Sequence, residues 1–186
     1  MQFTISNIII AGLAAVATAA PTPDTAEVVP QDTFFLVVQS QDDRVNGRCA
    51  SPYHTGAGLS DTTIQQCGPA PPKDFQFADS KISYLNYGNG ISSNVRANDG
   101  QASYDSWASV VINAGDEGTT FTYDPAAGFL QEGNGLGFIA CTWAHAGAWQ
   151  LFALSSEDAP IQSNCAAVTV KRGCYNVDPG CVNNTW

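Results

Sequence analysis

The chain has 186 residues, of which 17 are Asp or Glu and only 7 are Lys or Arg, for a formal net charge of −10. That balance argues against nucleic acid and anionic membranes as partners, because both repel an acidic surface. The length fits one domain with a real hydrophobic core.

Residues 1–19 read as a secretory signal peptide. The apolar run Ile8 to Val16 is followed by the small-residue exit Ala17-Thr18-Ala19, and a membrane anchor would need about 20 apolar residues. The leader carries no Lys or Arg, so the amino terminus supplies its only positive charge. Residues 20–31 hold three prolines and two acids without periodicity, which predicts a disordered arm. Residues 32–186 are then a single β domain ending in a disulfide-looped tail.

Within that domain, Thr33 to Ser40 predicts a strand with apolar residues on both faces, hence buried on both sides. A polar loop with Asn46-Gly47 at its turn follows, then the glycine-rich stretch Tyr53 to Asp61 and a Pro-rich connection from Cys67 to Lys73. Phe75, Phe77, Ile82 and Tyr84 alternate across two short strands turned at Asp79-Ser80. Gly88 to Ser103 reads as a long loop, Trp107 to Asn113 and Thr119 to Tyr123 as strands, and Asp124 to Gly135 as loop again. Leu136 to Trp143, Trp149 to Leu154 and Ala166 to Val170 complete the series, with the small-residue turn AHAG after the first. Strands at about ten-residue spacing with no amphipathic helix predict an all-β fold: a single-domain antiparallel β-sandwich or barrel of about nine strands.

Six cysteines behind a signal peptide read as disulfides that reinforce this fold. Fifteen pairings are open. Spacing favours sequence neighbours: Cys49–Cys67, Cys141–Cys165 and Cys174–Cys181. A zinc site would need paired Cys-x-x-Cys spacing, which is missing. A Cys141–Cys165 bridge constrains topology. Strands next but one in a flat meander lie about 9.5 Å apart, beyond the roughly 7 Å limit for bridged Cα atoms. The third strand must then cross to the edge of the first, or Cys165 must sit in the loop before it.

Ligand-binding candidates are the two histidines, His54 and His145, both in Gly/Ala-rich loops, and the aromatics Trp143 and Trp149. The histidines are also readable as loop residues bonded to backbone, the commoner case for a lone histidine in a loop. Trp107, Trp143 and Trp149 are readable either as sugar-stacking surfaces or as core. Asp42-Asp43, Asp116-Glu117 and Glu157-Asp158 point apart as sequence neighbours, so they read as solvated turn charges rather than a glycosidase pair. Asn98-Asp99-Gly100 lacks the alternating spacing of a calcium loop. No nucleophile elbow, zinc-protease helix or cofactor motif is present, so no catalytic residue, metal or cofactor is assigned. Asn183 heads the sequon Asn183-Asn184-Thr185 and is the expected glycosylation site.

Four stretches carry a resemblance: YHTGAGLSD at Tyr53 to Asp61, YDSWASVVINAG at Tyr104 to Gly115, GFIACTWAHAGAWQLFAL at Gly137 to Leu154, and SNCAAVTV at Ser163 to Val170. From about Phe34 to Lys171 the chain resembles an uncharacterised family of small fungal secreted proteins, a domain of unknown function. Its last part is distantly similar to fungal cell-wall proteins of conidiophore development. The resemblance implies an extracellular β domain with a Cys141–Cys165 bridge and implies no activity. Cys49, Cys67 and the tail lie outside the shared pattern.

The expectation is therefore a secreted, acidic, monomeric and non-catalytic binding module, located extracellularly or in the cell wall. Its partner would be wall polysaccharide or another extracellular protein. The alternative is a small hydrolase of wall polysaccharide using His54 and an acid.

Overall fold

The computed structural model describes residues 33–68, 74–86, 93–97, 103–104, 106–115, 117–124, 129–132, 136–143, 145–174 and 182–183. The expected signal peptide and disordered arm, residues 1–31, lie outside the described residues. The described segments contain fifteen strands: β1 (Phe35–Gln39), β2 (Cys49–Gly56), β3 (Leu59–Gln65), β4 (Phe75–Ala78), β5 (Lys81–Tyr84), β6 (Ser93–Arg96), β7 (Ser103–Tyr104), β8 (Trp107–Ser109), β9 (Val111–Ala114), β10 (Phe121–Asp124), β11 (Phe129–Glu132), β12 (Phe138–Thr142), β13 (Trp149–Leu154), β14 (Cys165–Cys174) and β15 (Val182–Asn183). The remaining regular element is a single turn at His145–Gly147.

Six strands close on themselves in the order β3-β2-β1-β14-β12-β13, the ring being completed by Trp149↔Ile64 and Gln150↔Thr63. Closure removes the exposed edges that an open sheet would carry, so the sandwich-or-barrel alternative resolves to a barrel with extra strands. Side-chain alternation decides what faces in. Leu36, Val38, Ala50, Ile64, Ala140, Leu151 and Val168 share the inner core. The other face of β1, Phe35 and Val37, is buried outside against Cys49 and Cys67, as the two-sided apolar pattern predicts. The Cys49–Cys67 bridge, with Cα atoms 5.0 Å apart, closes over that patch.

β12 lies between β13 and β14, so the third strand of the expected meander has crossed to the free edge of the first. Cys141 is directly opposite Cys165, and the two are bridged with Cα atoms 4.0 Å apart. Both belong to an outer cluster with Trp107, Ile139 and Phe152. The bridge thus locks a barrel seam under an apolar cover.

The single strand expected over Trp107 to Asn113 is two strands. β8 pairs with β13, β9 pairs with β3, and Val110 between them bonds both neighbours. Its N–H donates to Leu151 O and its carbonyl accepts from Thr62 N–H, each at 3.0 Å. β3 and β13 pair directly over only two residues; Val110 fills the fork where they part. A second run, β4-β5-β6-β9, extends from β3 and sends Ile82, Val95 and Ile112 into the inner core. Asp79 and Ser80 turn β4 into β5 with φ of 51° and 60°, the paired positive values that suit a two-residue hairpin.

The strand total exceeds the expected nine because several strands lie where the sequence reads as loop or tail. β6, β7, β11 and β15 are short and mixed in polarity, and β2 and β3 run through the glycine-rich stretch. Their pairing comes from neighbours in space. The expected Cys174–Cys181 bridge and the Asn183 side chain lie outside the described side chains; the Asn183 backbone pairs in parallel with Cys174.

Candidate functional site

Tyr53 on β2 and Asp61 on β3 are cross-strand partners. Ala50 and Ile64, paired lower in the same ladder, face the core. Odd-numbered offsets from them put Tyr53 and Asp61 on the outer wall. The tight turn above them depends on Gly58, whose φ is +71° and whose added Cβ would sit 2.9 Å from Ala114 Cβ. Gly58 O also accepts the Ala114 N–H at 2.8 Å. The glycine-rich sequence is therefore a hairpin tip braced against β9.

The β12–β13 loop folds back across the outside of β3 and brings His145 to this wall. Its Nε2 lies 2.7 Å from Asp61 Oδ2. A carboxylate oxygen is the natural acceptor of this pair, so the contact selects the ring form with the proton on Nε2. The imidazole lies against Tyr53, with ring centroids 4.0 Å apart and planes tilted by 36°. His145 and Asp61 keep 13% and 23% of their side-chain exposure, while Tyr53 keeps 46%. The tyrosine ring is thus held from one side and open on its remainder.

The loop reaches this position through strain. His145, Ala146 and Gly147 have φ of 52°, 59° and 83°, and the Ala148 N–H closes the turn on His145 O at 3.3 Å. Only glycine enters this region freely; each of the other two costs about 1–2 kcal/mol. The Asp61 hydrogen bond and the Tyr53 contact offset part of that cost. Strain gathered at one hydrogen-bonded contact is grounds for a functional hypothesis about this wall.

Trp143, just before this turn, is 48% exposed. It meets Trp107 edge-on at 5.6 Å, and Trp107 meets Phe152 edge-on at 4.7 Å. Trp149 has a different place: it is buried in the inner core, with the Arg44 guanidinium 5.3 Å from its ring centroid. His54 pairs opposite Ser60 and is exposed, on the side of β2 away from Tyr53. The histidine that meets Asp61 is His145. Sequence reasoning assigned no role to Tyr53, although a usable signal existed: Tyr53 and Asp61 are symmetric about the glycine turn and so must face each other if it forms a hairpin.

The remaining acids have ordinary roles. Arg44 side-chain hydrogen bonds hold the Asp42 carboxyl below its usual range, Glu117 pairs with Arg96 at 3.2 Å, and Glu157 and Asp158 are exposed. Asp116 and Asn98-Asp99-Gly100 lie outside the described residues. Among the described residues no group of three or more His, Cys, Asp or Glu is placed to hold a metal ion. Burial pushes the Asp74 carboxyl up, against hydrogen bonds from Asn86 and Tyr84 that lower it. It lines a cavity of about 290 Å³ beside the Cys49–Cys67 bridge.

The model of a protein family described as a domain of unknown function (DUF7907) matches residues 31–174, a span that holds every residue of this cluster. No curated protein matches the chain, and no solved structure does.

Proposed function

The chain belongs to the DUF7907 family, and we propose that it is a secreted, non-catalytic binding module whose Tyr53 surface engages extracellular polysaccharide. In the finer reading it is associated with a fungal wall or faces a host, in line with the resemblance to secreted fungal proteins and wall proteins of conidiophore development. One observation carries the reading: a half-exposed Tyr53 ring packed on one side against His145, which is itself hydrogen-bonded to Asp61. A sugar ring offers an apolar C–H face to an aromatic and hydroxyls to a neighbouring carboxylate. Prior immobilisation of the tyrosine lowers the ordering cost of binding. Two disulfides fit an oxidising compartment, and among the described residues no helix is long and apolar enough to cross a membrane. Secretion is tested by N-terminal sequencing of exported protein, which should begin at Ala20.

The binding test is depletion of the purified protein by insoluble chitin and β-1,3-glucan. Tyr53→Ala should weaken retention at least tenfold without moving the melting temperature. Failure of every polymer to retain the wild type overturns the reading. The hydrolase alternative is favoured by one feature, the carboxylate-oriented imidazole, which is half of a general-base arrangement. It places His145, rather than His54, as the base, and predicts reducing ends released from laminarin or colloidal chitin and lost in His145→Ala.

A further inference from the structure

We infer that the open groove between the β1–β2 loop and the β13–β14 loop is a second binding cleft, for a neutral, hydroxyl-rich glycan chain. It does not rest on the Tyr53 surface, and either site can fail without the other. The groove is broad and open to solvent, with a volume of about 870 Å³. Its floor is the outer face of β14, where Ala167 and Thr169 are exposed and small enough to leave the space open.

The walls carry the chemistry. Gln39, Gln41 and Asn46 each bring an amide, which both donates and accepts, the match for neighbouring sugar hydroxyls. Ile161 faces them from the other loop at 49% exposure and offers an apolar surface to a ring's C–H face. The cleft is pre-formed. Ser40 Oγ donates to Ala167 O at 2.7 Å, the Ser40 N–H donates to Asn46 Oδ1 at 3.0 Å, and the Asp42 N–H donates to Ser40 Oγ at 3.1 Å. The Cys141–Cys165 bridge fixes the far end of the floor.

Charge selects the ligand class. Asp42 is the charged side chain in the described lining, and Arg44 Nε and Nη2 clamp its carboxylate at 3.0 and 2.6 Å. A polycation finds that carboxylate already paired. A polyanion meets a protein of net charge −10 with no lining cation among the described residues. An uncharged polymer meets neither obstacle.

The experiment titrates the purified full chain with laminarihexaose and chitohexaose and follows backbone amide shifts. Saturable shifts at Asn46, Ala167 and Thr169 are expected with at least one of the two. Ala167→Trp fills the floor, and the Gln39→Ala, Gln41→Ala double variant strips the amides; each should weaken binding at least tenfold at unchanged melting temperature. Should the tryptophan variant fail to fold, the double variant carries the test. Tyr53→Ala should leave these shifts unchanged, which separates this cleft from the Tyr53 surface. The inference is overturned if neither sugar shifts the groove amides or if the folded variants bind as the wild type does. Tighter binding of oligogalacturonate than of either neutral sugar also overturns it.

Discussion

Thr62 offers the sharpest test of the barrel's interior. Its side chain is 1% exposed, and its hydroxyl oxygen is buried with no hydrogen-bond partner. Around it are Leu36, Ile82, Val95, Phe138 and Leu151, none of which can supply a side-chain bond. An unsatisfied buried hydroxyl costs about 1–3 kcal/mol. Valine has the same shape and the same β-branched stiffness, and it replaces that oxygen with a methyl group. Thr62→Val should therefore stabilise the protein by about 1–3 kcal/mol. For a domain of this size, at about 2–4 °C per kcal/mol, that raises the melting temperature by roughly 2–12 °C. Thr62→Ser keeps the oxygen and deletes the methyl, so it should lose about 1 kcal/mol. Urea titration measures both, provided the m-value stays constant. A Thr62→Val protein no more stable than wild type refutes the reasoning, because the hydroxyl must then be hydrogen-bonded in the folded state.

Gly173→Ala should destabilise by about 1–3 kcal/mol, because Gly173 pairs with Phe35 and an added Cβ would overlap the Phe35 ring; at about 2–4 °C per kcal/mol, a melting temperature less than about 1 °C below wild type would exclude that overlap. Removing the Cys141–Cys165 bridge as a double alanine variant should cost about 3 kcal/mol by loop-closure entropy. In mild reductant Cys49–Cys67 should open first, since Cys67 is only half-buried while Cys141 is fully enclosed. Mass mapping of alkylated peptides in the opposite order would contradict this. For Asp74, whose carboxyl burial raises, the folded state binds the proton more tightly than the unfolded chain does. The resulting penalty is absent below the ordinary value of about 4, grows as pH rises through the folded value, and is complete above it. Asp74→Asn should gain on wild type across that window in urea midpoints from pH 3 to 7, and a difference independent of pH would count against it.

The sequence by itself determined the all-β class, the two-faced burial of the first strand, the Asp79-Ser80 turn and the strands at Trp149 to Leu154 and around Cys141. Each follows from a local cause: a period of two, β-branched and aromatic content, or turn residues at fixed offsets. It also tied topology to pairing: if Cys141 and Cys165 are bridged, as they are, a flat consecutive meander with both cysteines mid-strand is excluded. Only the tertiary structure decided that the sheet closes through two residue pairs between β3 and β13, and that Val110 divides one apparent strand between two neighbours. Those pairings depend on backbone groups that every residue carries, so side-chain pattern does not encode them. The site divides the same way. Tyr53 and Asp61 face each other for the local reason that a glycine turn joins their strands. His145 reaches them from 84 residues away, through a left-handed turn that carries it to Asp61 and Tyr53.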